Sequence, residues 1–594
     1  MSARTIVIGI FFFFLLLTGI LCFRDYGINW DEPVHQWRGH AFLDYIFKGD
    51  RRLMESEIQR SYGTFPDVIL AAVERAFRYQ HDSRVIYLSR RMTLFLFFYV
   101  GVVFFFLLGQ KIFRSWAIGL LGSLFLVLSP RIFAHSFHNA KDIVLLAAMI
   151  IAFYTLVRYI EKPGGGRLAL HALACAVATD VRITGILSFF LTGAAFLFVM
   201  WQNRKDKAKV VRIFGQAAIF GLMYVVLTVL LWPTLWENPV RRFIDIIYFS
   251  THLPWGGKLL YLGQFFRDGE LPWHYIPIWI AVSTPLLYLG LLVVGIFGFF
   301  TGFTRKDSTC GWRRFTEYLI LLWFFVPPLL SILFNVYTFD EWRHLFYIYP
   351  ALLLIGLGGL STATEAARKF LPAENGLPAR FISAALVLLI LGGTVPVALF
   401  MVRNHPRENI YFNRLAGRDM AAIAKRFELD YWGISYKQGL EYILRSDPSR
   451  AITVAVDNRP GEFNARILPR DERRRLVYVR PVVMDIFFNT KIKRFVNRRA
   501  GRYALSAENH KLIIRSPMTP AEKEELFEIF PHPSERQSVE KSYQESQALS
   551  KADYFLTNYR LHPGEFPLEK VHSIKVGNAP IMGIYRLTPS AEVK

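Results

Sequence analysis

The sequence predicts a polytopic α-helical membrane protein with about eleven spans, followed by a C-terminal mixed α/β domain that faces water. Three observations carry this. The composition is 53% hydrophobic, with 53 Phe, 27 Tyr and 13 Trp. Apolar stretches long enough to cross hydrocarbon recur through residues 5–402 and not beyond. From residue 403 the pattern changes to short alternating helices and strands.

Apolar runs, read against turn and charge signals, place spans near 5–23, 93–113, 116–133, 143–158, 168–179, 183–201, 213–232, 275–300, 317–337, 345–362 and 381–402. The first is read as an uncleaved span, because it lacks a small-x-small exit and Leu21 before Cys22 does not suit lipoprotein processing. Short loops at 111–115, 158–167, 203–212, 301–316 and 363–380 each carry two or more Lys or Arg, while the turns between them carry one each. That bias predicts a cytoplasmic N-terminus, with loops 24–92 and 233–274 and the C-terminal domain outside, in a plasma or inner membrane.

A net charge of +23 raises the question of nucleic acid. The basic residues sit at loop and span ends, as in Arg204, Lys205 and Lys207, Arg305 and Lys306, and Arg368 and Lys369, so they read as membrane anchors and no nucleic-acid partner is expected. Cys22, Cys175 and Cys310 lie in or between apolar segments and give no disulfide framework.

Within loop 24–92, Val34, Trp37, Ala41 and Tyr45 form an apolar stripe at helical spacing, and Val68, Ile69, Ala72, Val73 and Phe77 form another. Both helices are expected at the membrane surface, or packed on the spans. Beyond 403, helices are expected near 414–428, 435–446 and 520–529, and strands near 451–457, 475–480, 553–559 and 572–587. The Arg-rich stretch 466–502 reads as a solvated face or as a contact for lipid headgroups or glycans.

The chemistry-bearing residues gather in four turns on the outer side. Asn29-Trp30-Asp31-Glu32-Pro33 follows the first span, and the alternative for its acids is a helix start with Pro33 in the first turn. The second turn reads His135-Ser136-Phe137-His138-Asn139-Ala140-Lys141-Asp142. The others are Thr179-Asp180-Val181-Arg182 and Asp340-Glu341-Trp342-Arg343-His344. Ionisable groups at the edge of hydrocarbon are expensive and tend to be functional, and snorkelling would not confine them to one side. Trp236 and Trp255 in the large outer loop suit sugar stacking or an interfacial belt.

The Asp-Glu pair, the Asn-x-Lys-Asp cluster and the Arg-His before a late span resemble the GT-C glycosyltransferases of the protein O-mannosyltransferase and aminoarabinose transferase type, over residues 5–402. His405-Pro406-Arg407-Glu408-Asn409 and Phe427-Glu428-Leu429-Asp430-Tyr431-Trp432-Gly433 are similar to a bacterial branch of that superfamily. The resemblance implies a catalytic unit over 1–402, a soluble extracytoplasmic unit over 403–594, and Asp31 in the position of the family's catalytic Asp. It implies transfer of a sugar from a polyprenyl-phosphate donor to a lipid, glycan or protein acceptor.

The residues suit that chemistry independently. A donor whose leaving group is already an anion needs a carboxylate to take the acceptor's proton and cations to hold the departing phosphate, but no strong general acid. Asp31 is then the base, with Glu32 orienting a cation or the acceptor. Lys141, Arg182, Arg343 and His344 are the phosphate candidates, and His138, Asn139 and Asp142 belong to the second-turn cluster. His135, His138 and Asp142 carry the donor types of a divalent-metal site, at a spacing that also arises by chance. The alternative is a transporter or lipid-linked glycan flippase, which would show paired repeats and charge near the bilayer midplane; neither is evident.

Overall fold

A computed structural model describes residues 2–79, 82–252, 258–267, 269–303, 311–336, 338–370, 377–479, 483–485, 495, 498, 503–506, 511–514, 518–530, 536, 539–540, 552–560 and 568–587. Cys310, Arg305, Lys306, Trp255 and most of the Arg-rich stretch from 480 to 502 lie outside these residues.

The protein is a multi-pass helical membrane protein with a sheet-containing C-terminal region. Among the described residues, eight helices are long and apolar enough to cross a membrane: Ala3–Cys22, Ser83–Phe113, Asp142–Glu161, Ile183–Gln202, Lys207–Leu231, Arg314–Leu333, Arg343–Thr364 and Ala384–Asn404. Trp116–Val127 and Leu286–Phe300 are shorter apolar helices, and Gly165–Val181 packs among the others, which together account for the expected spans.

Two expected spans are broken, and proline explains both. The run 116–133 divides into Trp116–Val127 and Pro130–His135, because Pro130 starts a new helix where it has no amide to give. Ser129 closes the break by donating to the Phe125 carbonyl at 2.7 Å. The run 275–300 divides into Tyr275–Ser283 and Leu286–Phe303 around Thr284 and Pro285. The carbonyls freed there are not left bare. Asn413 Nδ2 donates to those of Ala281 and Thr284, both at 2.6 Å, and its own amide donates to Val282 at 2.8 Å.

Asn413 belongs to the segment that follows the last apolar helix, and that segment is part of the membrane half's packing. Ile410, Phe427, Tyr431, Trp432 and Ile434 share one core with Tyr26, Phe137, Trp279 and Phe346. A second core begins at Tyr436, Leu440 and Ile443 and continues through Val454, Leu556 and Met582.

That second core is covered by a five-stranded mixed sheet. Its order is Leu476–Val479, Ile452–Val456, Tyr554–Thr557, Ala579–Arg586, Glu569–Val576, the first three parallel and the last two antiparallel to their neighbours. Residues expected as one strand over 572–587 are instead the arms of a hairpin. Gly577, at φ +58°, supplies the left-handed turn residue before Asn578. A three-stranded antiparallel sheet of Val483–Asp485, Lys511–Ile514 and Tyr503–Ser506 was not expected. The expected helix over 414–428 is mostly turns, with only Met420–Ala424 helical.

In the first long loop, Glu32–Lys48 and Phe65–Ala76 pack against each other through their charged faces, because acids on the second match bases on the first. Asp67 accepts from Arg38 Nε at 2.6 Å and contacts His35 Nδ1 at 2.9 Å, while Glu74 contacts His40 at 2.8 Å and Arg90 at 2.6 Å. The apolar stripes are therefore turned partly outward, and Val34, Trp37 and Phe77 are exposed. Two arginines of the basic stretch are also tied into the protein. Arg473 bonds Ser83 at the start of Ser83–Phe113, and Arg475 reaches the Leu444 and Asp447 carbonyls that end Tyr436–Ser446.

Candidate functional site

A cavity of about 660 Å³ opens where loop 24–92, the turns around 139–141, 181–184 and 338–345 and the C-terminal region meet. This is within the size of a site for a small organic ligand. Asp31, Asn139, Lys141, Arg182, Arg343 and His344 line it, so six of the predicted residues converge from four separate stretches of chain. Glu32, His135, His138 and Asp142 do not line it.

Asp31 and Glu32 are adjacent, but their environments are opposite. Asn29 Oδ1 accepts from both of their backbone amides, at 2.8 and 2.9 Å, and Glu32 Oε2 accepts in return from the Asn29 amide at 2.9 Å. This reciprocal cap starts Glu32–Lys48 and splits the pair. The Asp31 side chain is left 45% exposed at the cavity, with Arg343 3.9 Å away. Glu32 turns inward to Arg91 at 3.4 Å, and burial pushes its carboxyl up although Arg91 opposes the shift. Glu32 therefore caps the helix start and lies against Arg91, and it does not line the cavity where it was expected to orient a cation or the acceptor.

The cations of the cavity are held by carboxylates behind them. Asp142 begins Asp142–Glu161, and its buried carboxylate receives Arg182 on Oδ1 and both Arg343, at 3.2 Å, and Asn139, at 2.9 Å, on Oδ2. Two guanidinium groups from different turns are thereby aimed into one space. Arg343 also pairs with Asp340 at 3.1 Å and lies over the Trp432 ring. Arg182 does not pair with Asp180, whose Oδ1 instead accepts from the Thr64 amide at 2.9 Å.

Lys141 is buried between Asp67, 3.3 Å away, and the Gly63 carbonyl, to which it donates. Burial lowers its pKa against the opposing pull of Asp67. Gly63 also lets its loop pack against the third turn, since a Cβ there would lie 1.6 Å from the Asp180 carbonyl oxygen.

Behind the cavity wall is a closed second cluster. Asp340 and Glu341 both have positive φ, +55° and +60°, a conformation that costs energy for residues with a Cβ and persists only where surroundings impose it. Here the surroundings are ionic. Asp340 is held by Arg343 and Arg560, and Glu341 by Arg131 and by Tyr431, whose hydroxyl donates at 2.6 Å. The same Tyr431 hydroxyl contacts His135 Nε2 at 3.0 Å. His138 pairs with Asn29 at 3.2 Å, and burial lowers its pKa to about 3. Among the described residues the donor atoms of His135, His138 and Asp142 do not come together as a metal-holding group: His135 faces Asn139 and Tyr431, His138 Nδ1 faces Asn29, and Asp142 receives Arg182, so the expected triad is not assembled.

Arg560 is the functional candidate that sequence reasoning missed. It comes from the end of strand Tyr554–Thr557, lines the cavity, bonds Asp340 and the Tyr431 carbonyl, and lies 3.5 Å from Glu428. One arginine among 70 basic residues gives no local signal. Arg38 and Asp67 were also missed, although acids recurring on the inner face of an amphipathic helix could have pointed to them. Of the outer aromatics, Trp236 is exposed and donates to the Val229 carbonyl at 2.8 Å, while Trp255 lies outside the described residues.

Residues 87–232 match the model of the dolichyl-phosphate-mannose-protein mannosyltransferase family, within the region where the sequence resembles the GT-C enzymes. No curated protein matches the chain in sequence. Solved structures with a similar course include ArnT from Cupriavidus metallidurans in the apo state, at 12% identity, 99% coverage of both chains and a TM-score of 0.48. The same protein bound to undecaprenyl phosphate gives 13% identity, 99% coverage of both chains and 0.45. The oligosaccharyltransferase AglB from Archaeoglobus fulgidus gives 10% identity, 92% coverage of this chain, 69% of that chain and 0.43. At such distances these likenesses assign neither activity nor substrate.

Proposed function

We propose that the protein is an inverting glycosyltransferase that moves a sugar from a polyprenyl-phosphate donor to an acceptor hydroxyl or amine at the outer face of the membrane. The observation that carries this reading is the pairing of one exposed carboxylate with an excess of cations in one cavity. Among the described residues, Arg38, Lys141, Arg182, Lys258, Arg343 and Arg560 line it beside the carboxylates Asp31 and Asp340. Such a surface suits an anionic ligand with a single group left to accept a proton.

In this reading Asp31 takes the proton of the acceptor as its nucleophilic atom attacks the anomeric carbon. The bond from that carbon to the phosphate oxygen breaks, its electron pair stays on the phosphate, and the anomeric configuration inverts. Arg182 and Arg343 hold the phosphate as its charge grows, and Lys141 adds a point charge deeper in the wall. No acid is needed at the leaving oxygen, unlike glycoside hydrolysis, where a second carboxyl protonates it. The name of the matched family, with its dolichyl-phosphate-linked donor, supports the same donor class. The divisions 1–402 and 403–594 are then a catalytic unit and a unit that closes it, with Arg560 reaching from the second to the first.

Mass spectrometry of envelope glycolipids and glycoproteins tests this. A deletion strain and an Asp31→Ala strain should lose the same glycoform. Unchanged glycans in the deletion strain would overturn the proposal.

A further inference from the structure

Away from the cavity, the first and last apolar helices end side by side. Ala3–Cys22 finishes on Cys22, and Leu377–Asn404 is followed at once by His405. One donor atom from each of Cys22, Asp25 and His405 lies within 4.8 Å of the others. Metal bonds of about 2.0–2.3 Å set tetrahedral ligand atoms roughly 3.3–3.8 Å apart, so small side-chain movements would suffice.

What lies behind His405 points the same way. Its Nε2 faces Asp25 at 2.9 Å, and its Nδ1 is held at 2.6 Å by Oε1 of Glu408. Glu408 is 1% exposed, and its other oxygen accepts from the Tyr26 hydroxyl at 3.0 Å. A buried, anchored carboxylate on Nδ1 fixes the ring and leaves Nε2 toward Cys22 and Asp25, as outer partners do for histidine ligands in metal sites.

We propose that Cys22, Asp25 and His405 form a binding site for a thiophilic divalent transition-metal ion of the zinc type, with Glu408 orienting His405. Binding releases the thiol proton and the Nε2 proton to solvent, and the metal takes one sulfur, one nitrogen and one oxygen, with a fourth position open to water. Hard cations are not expected. The Lys437 ammonium lies 3.3 Å from the Asp25 carbonyl oxygen, so ligand softness rather than accumulated negative charge must hold the ion. The ion would tie the start of the chain to the entry of the C-terminal region. Tyr26, stacked on Phe137 at 4.6 Å, sits between this site and the turn that carries Asp31.

The test uses the full-length protein in detergent, freed of metal by a chelator and titrated with Co²⁺. The parent should develop a thiolate-to-cobalt charge-transfer band that saturates at one equivalent and is displaced by Zn²⁺. Cys22→Ser should abolish the band, and His405→Ala should abolish binding. Glu408→Gln should weaken it about 10- to 100-fold. Asp31→Asn should bind as the parent does, which separates this site from the cavity. Folding is checked by thermal unfolding: without metal the parent and Cys22→Ser should melt alike, and only the parent should gain on adding Zn²⁺. Absence of the charge-transfer band in the parent, or equal Zn²⁺ stabilisation of parent and Cys22→Ser, would overturn the proposal.

Discussion

Two polar clusters share one face of the membrane half. The first lines the cavity, with Asp31, Lys141, Arg182 and Arg343 open to a ligand and cations in excess. The second, made of Arg131, His135, Glu341 and Tyr431, is sealed, and its acid and base are paired. Both use the residue types that suggest catalysis. The difference is access: the second cluster is closed, while the first presents a carboxylate that is 45% exposed, Asp31, beside cations that reach the cavity surface.

The largest effect that separates them belongs to Asp31→Asn. The amide keeps the shape but cannot take a proton, so turnover should fall by about 10²-fold or more while thermal stability stays at the parental value. Steady-state transfer and a melting curve on the same preparation check this. Near-parental turnover would place Asp31 with the scaffolding.

Next come the guanidinium groups. Arg182→Lys and Arg343→Lys should each slow single-turnover transfer roughly tenfold, and the alanine variants about 10²-fold, because a point charge cannot reproduce a bidentate fork on phosphate. Both lysine variants transferring at the parental rate would remove the phosphate assignment.

Lys141 gives a smaller, pH-dependent effect. In the proposed reaction its protonated form holds the phosphate, and that form is lost as pH rises through its pKa, which burial sets below the ordinary 10.5. Donor affinity should therefore decline on the alkaline side before a free lysine would titrate, and Lys141→Arg should flatten that decline. Equilibrium binding of a polyprenyl phosphate across the alkaline range measures it.

In the sealed cluster the effect on turnover should be the smallest. Glu341→Gln strands the buried Arg131 charge and should cost about 3 kcal/mol of stability, seen as a lower melting temperature, with transfer per folded molecule close to parental.

Much of this was legible before the fold was known. Long apolar runs bounded by basic loops gave the helices, because hydrocarbon permits few alternatives. The four polar turns stood out against the apolar runs, and Asp31, Asn139, Lys141, Arg182, Arg343 and His344 from them line one cavity. What was not legible depended on distant partners. That Glu32 faces away from Asp31 follows from Arg91 and the Asn29 cap, neither of which its own position in the sequence reports. His135, His138 and Asp142 have the spacing of ligands, but the fold turns them toward separate partners, Tyr431, Asn29 and Arg182, and does not bring them together. Arg560 reaches the cavity only because parallel pairing of Tyr554–Thr557 with Ile452–Val456 ends there, and nothing near it in sequence reports that.

The division of labour is tested most directly by determining the structure with a polyprenyl-phosphate sugar bound. The phosphate should lie in contact with both Arg182 and Arg343, with the anomeric carbon on the side facing the Asp31 carboxylate and no ligand density in the Glu341 cluster. A phosphate bound away from these two arginines, or a sugar turned away from Asp31, would contradict the account.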